Sequence, residues 1–267
     1  MGIIDDLRLI YLGIIAKVLI FALELYSDIM IFKRKLYTEM LQWKQDSNGA
    51  SALMIKGARR VGKSTLAKEF AKHEYDSFIA IDFAKCSKEV RDLFDDISDL
   101  DYIFMRLQMM YKVTLKSRAS VIIFDEVQKC PNARQAIKYL VEDERYDYIE
   151  TGSLLSIKQN VKDIIIPSEE DELTLNPLDY EEFKWALGDE VSIPMLRQFF
   201  EKRKSMGDEA NRNLMRDFRL YMLVGGMPQA VKTYLETKNM GKVDQAKRRI
   251  IRLYEKDFMK IDPSGMA

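Results

Sequence analysis

Two cysteines and one histidine are all that this 267-residue chain offers to a disulfide or a thiolate metal site. Cys86 and Cys130 exclude a disulfide framework, and with His73 alone beside them a Cys/His zinc site lacks ligands. A reducing, cytoplasmic setting is the expectation. Proline (6) and glycine (12) are sparse, and apolar residues make up 47% of the chain, so a low-complexity, fibrous or disordered chain is excluded and a buried core is expected. Charge of either sign is not in excess: 42 Lys plus Arg balance 42 Asp plus Glu. That neutrality removes the simplest argument for a nucleic-acid partner, although it averages over the whole length.

Long apolar runs are also scarce. Leu9–Leu23 is interrupted by Lys17 and would cover roughly 22 Å as a helix, short of the ~30 Å hydrocarbon core. Three readings of residues 1–29 stay open: a helix buried against the protein or a partner, a membrane anchor with Lys33-Arg34-Lys35 as its cytoplasmic flank, or a translation start at Met30. No small-residue cleavage site follows the run, so a secretory signal fits poorly.

What is present is an alternation of short apolar runs with helical patterns. Strands are expected at Ala52–Ile55, Phe78–Phe83, Val121–Phe124 and Tyr148–Ile149, with helices at 31–46, 65–73, 87–112 and 132–144. Strands alternating with helices predict a parallel sheet covered on both faces. The segment Asp163–Pro177, with the acidic cluster Glu169–Glu172, reads as a boundary loop carrying a last strand at Leu173–Leu175. From there helical spacing dominates, at Asp179–Leu187, Met195–Lys204, Asn211–Leu223 and Lys242–Lys260. The expected organisation is 1–29, a sheet domain at 30–185 and a helical subdomain at 186–267. Gly225-Gly226-Met227-Pro228 reads as a helix terminator.

The segment Gly57-Ala58-Arg59-Arg60-Val61-Gly62-Lys63-Ser64 matches G-x-x-x-x-G-K-[ST], directly after an expected strand and before an expected helix. In that context the Walker A pattern predicts a phosphate cradle. The glycines let backbone N–H groups of about residues 60 to 65 point inward, and the helix N-terminus favours an anion. Lys63 is placed for β- and γ-phosphates, and the Ser64 hydroxyl, followed by Thr65, is a hard oxygen ligand suited to Mg²⁺.

Val121-Ile122-Ile123-Phe124-Asp125-Glu126 supplies a buried strand that ends in two carboxylates. Asp125 is the expected partner of the Mg²⁺ shell, and Glu126 the candidate general base for a water. A third strand end, Thr151-Gly152-Ser153, offers two hydroxyls, Thr151 and Ser153, either of which could help to position that water. An in-trans arginine is not nominated by any motif; Arg134, Arg197, Arg216 and Arg219 are the candidates.

GARRVGKS, IIFDEVQ, the ETGS strand end, LNPLDYEEF (175–183) and YMLVGGMPQAV (221–231) together resemble the prokaryotic AAA-type ATPases of the extended AAA superfamily that carry an uncharacterised C-terminal domain. The resemblance spans about residues 31–262. It implies a three-layer α/β P-loop NTPase fold with sheet order 5-1-4-3-2 followed by a helical subdomain, and ATP and Mg²⁺ as ligands. It also implies a nucleotide role for Gly57 to Thr65, Asp125 and Glu126, and the polar sensor position for Ser153. Members usually continue well beyond the equivalent of Pro263 and begin near that of Met30, so the resemblance suggests a truncated C-terminus. The function expected is ATP hydrolysis that moves the helical part against the sheet domain, acting on a protein or nucleic-acid client, with a homo-oligomer as a further expectation. Alternatives are a nucleotide-gated interaction module with little turnover and a P-loop kinase of a small molecule.

The zero net charge hides a division. Residues 141–190 hold 4 basic against 15 acidic side chains, whereas residues 202–260 hold 15 basic against 7 acidic. This polarity predicts docking of the helical part on the acidic segment, with a nucleic-acid surface as the alternative.

Overall fold

The computed structural model describes residues 31–153 and 169–261. The apolar run Leu9–Leu23, the start of the boundary loop and Pro263 lie outside them. Five strands form one parallel sheet: β1 (Ala52–Gly57), β2 (Ser77–Asp82), β3 (Ser120–Asp125), β4 (Asp147–Ser153) and β5 (Glu170–Leu175), in the order β2-β3-β4-β1-β5. This is the 5-1-4-3-2 order that the resemblance implied. Its cause is visible in the strands themselves. All six residues of β3 are buried and the central four, Val121 to Phe124, are apolar, as a strand covered on both faces requires.

Alternate strand residues enter two cores. On one face Leu53, Ile55, Val121, Ile123 and Ile149 pack against α1 (Leu36–Ser47) and α2 (Lys63–Glu74), whose buried residues Leu36, Met40 and Trp43, and Leu66 and Phe70, recur at helical spacing. On the other face Met54, Ile79, Ile81, Ile122 and Phe124 meet α3 (Lys88–Asp92), α4 (Leu100–Tyr111) and α5 (Pro131–Glu142). The three layers leave the C-terminal ends of β1, β3 and β4 side by side at one rim, where open α/β sheets bind ligands.

Two expectations are corrected. The helix expected over 87–112 is broken between α3 and α4, because Asp96 accepts from the Ser98 amide and Asp99 caps the Tyr102 amide, local bonds that compete with a continuous helix. Glu170, Asp171 and Glu172 of the acidic cluster belong to β5, which starts three residues before the expected position. Its charges are tolerated on this edge strand because Arg134 takes Glu170, Ser51 takes Asp171 and Lys56 takes Glu172.

The helical part comprises α6 (Tyr180–Ala186), α7 (Ser192–Glu201), α8 (Asp208–Val224), α9 (Pro228–Thr237) and α10 (Met240–Ile261). Helix α9 was not anticipated; it starts with Pro228 at its first turn, where a missing N–H costs nothing. Asp179 and Glu182 cap α6 reciprocally. Helix α8 meets α6 through rings, with Tyr180 against Phe218 at 5.2 Å and Phe183 against Tyr221 at 5.3 Å. An ion pair, Lys184 with Asp217 at 2.6 Å, joins the same surfaces with the base on the acidic segment, opposite in sign to the expected docking. Lys33, Arg34, Lys35 and Arg197 instead neutralise Glu190, Glu182, Asp179 and Glu181. No described helix is long and apolar enough to cross a membrane.

Candidate functional site

Between β1 and α2 the chain turns through Arg60 at φ 63° and Gly62 at φ 103°, both in the left-handed region. Gly57 is required for a different reason: a Cβ there would lie 2.3 Å from the Leu175 carbonyl oxygen on the adjacent strand. Gly62 caps α2, and the Leu66 amide returns to its carbonyl at 2.9 Å. The loop therefore ends on a helix N-terminus. Lys63 folds back over it and donates to the carbonyls of Gly57 (3.1 Å) and Ala58 (2.9 Å). It is 5% exposed, and burial pulls its pKa below the ordinary lysine range against the opposing fields of Glu126 and Asp125.

The β3 terminus brings Asp125 to the same place. Ser64 Oγ donates to Asp125 Oδ1 at 2.6 Å, and the buried Thr151 hydroxyl donates to the same oxygen. Of the two hydroxyls considered on β4, Thr151 makes this contact; Ser153 lies further along the strand, opposite Gly57 in the β1 register. Glu126 follows in the left-handed conformation, φ 55° and ψ 45°, with its amide donating to Thr151 Oγ1 at 3.3 Å. Gln128 Nε2 donates to Glu126 Oε2 at 2.5 Å. No group of three or more His, Cys, Asp or Glu side chains converges among the described residues, so a cation here would have Ser64 and Asp125 as protein donors rather than a carboxylate cage.

Three contacts were invisible in the sequence. Both oxygens of Asp257 on α10 lie 2.8 Å from Arg59 Nη1, Tyr254 donates to the Arg59 carbonyl at 2.8 Å, and Arg60 reaches Gln229 on α9 at 3.1 Å. Ala58, Pro177, Met227, Tyr254 and Phe258 line an apolar slot of about 440 Å³ beside the loop, with Ser153 at its edge. Arg34 is buried and donates to the carbonyls of Val61 (3.1 Å) and Asn176, tying the loop to the end of β5.

Arg134 is removed from the in-trans candidates. It is 2% exposed and reaches from α5 to Glu150 on β4 and Glu170 on β5. Arg197 pairs with Glu181 at 2.5 Å, while Arg216 and Arg219 are exposed.

Residues 50–184, half of the chain, match the family model described as an AAA domain, and they contain the phosphate loop, Asp125, Glu126, Thr151 and Ser153. The chain belongs to the AAA domain family. Beyond that AAA domain, residues 215–266 match a domain of unknown function (DUF8612), which takes in most of α8 and all of α9 and α10. No curated protein matches the chain. Among solved structures, the Aeropyrum pernix Orc1 protein in complex with DNA is similar at 13% identity and a TM-score of 0.45, covering 84% of this chain and 63% of that one. The PCH-2 protein of C. elegans is similar at 12% identity and a TM-score of 0.43, covering 84% and 70%. The Drosophila origin recognition complex bound to DNA is similar at 14% identity and a TM-score of 0.44, covering 79% and 66%. The chain thus spans a little under two thirds of the Orc1 protein.

Proposed function

We propose that this AAA-domain protein binds ATP with Mg²⁺ and hydrolyses the terminal phosphoanhydride. The observation that carries the reading is the 2.6 Å contact of Ser64 with Asp125, which joins the first turn of the loop helix to the carboxylate at the end of β3, beside a buried Lys63. Ser64 and Asp125 are hard oxygen donors of the kind Mg²⁺ prefers, and a site that leaves most ligand positions to water and phosphate oxygens suits that ion. Held by Ser64 and Asp125, Mg²⁺ would supply positive charge to offset that of the phosphates.

The chain's own residues do the rest. The loop amides from Arg60 to Thr65 and the α2 N-terminus hold the β-phosphate, and the apolar slot takes the nucleoside. Lys63 exchanges its two carbonyl partners for phosphate oxygens, and the incoming negative charge favours its protonated form. Glu126 accepts the proton of the attacking water, and Thr151 fixes the Asp125 carboxylate through Oδ1. Ser153 serves as the sensor hydroxyl beside the slot. Arg59 and Arg60 report the state of the loop to α10 and α9, since they contact Asp257 and Gln229; this is the route by which nucleotide moves the helical part. Arg249, Arg252 and Lys256, exposed on α10 and without ion-pair partners among the described residues, suit an anionic client such as nucleic acid, and Arg216 or Arg219 of a second copy would complete the site in an oligomer.

The test is phosphate release with Mg²⁺ and ATP. Lys63→Ala should lose ATP binding, and Glu126→Gln should bind ATP with near-normal affinity while turnover falls by roughly 100-fold or more. Tight ATP binding without turnover in the wild type would reject hydrolysis and favour a nucleotide-gated interaction module.

A further inference from the structure

We infer that Gln128 is a positioning residue for Glu126, its carboxamide holding one carboxylate oxygen so that the other meets the water. The inference rests on the hydrolytic reading above. The contact is local but not incidental. Val127, fully buried, anchors a 3-10 turn over Val127–Lys129, and the Lys129 and Cys130 amides close it on the carbonyls of Glu126 and Val127, each at 2.9 Å. This turn directs the Gln128 side chain back along the chain into the protein, where it is 5% exposed and meets Glu126 Oε2 at 2.5 Å.

Glu126 needs such a restraint. Its backbone occupies the left-handed conformation, which is strained for a non-glycine residue and persists only where neighbours over-determine it. A carboxylate on three rotatable bonds at the end of that strained residue would otherwise sample many directions. Gln128 removes this freedom through Oε2. Oε1 makes no hydrogen bond among the described residues, so it is the oxygen left to accept a proton. A neutral amide is also the suitable donor: a lysine in its place would compete with water for the carboxylate as a charged partner.

A buried glutamine that merely satisfies its nearest acceptor would show the same contact, and kinetics separates the two. Gln128→Met keeps the volume and removes the donor. With saturating Mg²⁺ and ATP we expect kcat to fall roughly tenfold to 100-fold, the scale of an ångström-level misplacement of a catalytic group. The KM for ATP should stay within twofold. In a Glu126→Gln background the same substitution should add nothing, because its effect passes through Glu126. Wild-type kcat in Gln128→Met, or an equal loss in both backgrounds, overturns the inference and leaves hydrolysis standing. Full turnover in Glu126→Gln overturns the inference and the role of Glu126 as base, and a wild type without turnover overturns both the inference and hydrolysis. If Gln128→Met does not fold, Gln128→Asn, whose donor falls a methylene short, is held to the same criteria.

Discussion

Asp257, near the end of α10, sets both carboxylate oxygens 2.8 Å from Nη1 of Arg59 in the phosphate loop, 198 residues away in the chain. The pair places a negative charge beside a loop built to receive anions, and it holds one loop arginine away from them. Asp257→Ala should therefore tighten Mg²⁺-ATP binding. Arg59 is about half exposed, so the gain is no more than about 1 kcal/mol, roughly fivefold in Kd, and it should shrink with salt. Calorimetric titration at two ionic strengths checks this. Hydrogen exchange of the α10 amides around Tyr254 should speed up in the same variant, since only the Tyr254 bond to the Arg59 carbonyl then ties α10 to the loop; unchanged affinity and unchanged exchange would mean that the Asp257 pair does not couple α10 to the loop.

Gly225 and Gly226 looked alike in the sequence, as a helix stop before Pro228. The structure separates them. Gly225 closes α8 at φ 78° with nothing within 4 Å of an added Cβ. A Cβ on Gly226 would lie 2.0 Å from the Leu178 carbonyl oxygen, and the Leu178 amide donates to the Gly226 carbonyl at 2.7 Å. Gly226 thus lets the helical part lie backbone to backbone on the segment that leaves β5. Gly226→Ala should destabilise by about 2–3 kcal/mol through a clash with backbone that cannot rotate away. Gly225→Ala should cost about 1 kcal/mol for its dihedral alone. Thermal melts of the two variants give the order, and equal losses would refute the packing argument.

Residues that act through neighbours in sequence were legible; those that act across the fold were not. Gly57, Gly62, Lys63 and Ser64 are a local pattern because a loop and a helix start are local structures, and Asp125 and Glu126 stand out because an apolar strand ends on them. The Asp179 and Glu182 capping box is likewise written in adjacent residues. By contrast, Thr151 and Ser153 are equivalent as hydroxyls on one strand, and only the register of β4 beside β3 and β1 decides which reaches Asp125. Asp257 and Arg34 carry no signal at all, since their partners are far away in the chain. The acids of β5 misled because acidity reads as solvent exposure, whereas here Glu170 faces Arg134.

That buried cluster gives the last expectation. One guanidinium, Arg134, lies between two carboxyls, Glu150 and Glu170, so the group is neutral only when one carboxyl keeps its proton. Burial raises the pKa of both, that of Glu150 to about 8 against an ordinary 4.5, with Arg134 pulling the other way. In the unfolded chain Glu150 loses its proton near the ordinary value, so between about 4.5 and 8 the folded state binds the extra proton and stability falls as pH rises. The slope from this group is at most about 1.4 kcal/mol per pH unit. Above about pH 8 it vanishes, because both states are ionised. Glu150→Gln keeps an acceptor for Arg134 and carries no titrating proton, so its melting temperature should fall less steeply than the wild type's between pH 5 and pH 8. At roughly 2–4 °C per kcal/mol for a chain of about this size, the difference is large enough to measure. Parallel pH profiles for the two proteins would mean that Glu150 is ionised in the folded state and that the charge is balanced elsewhere in the sheet.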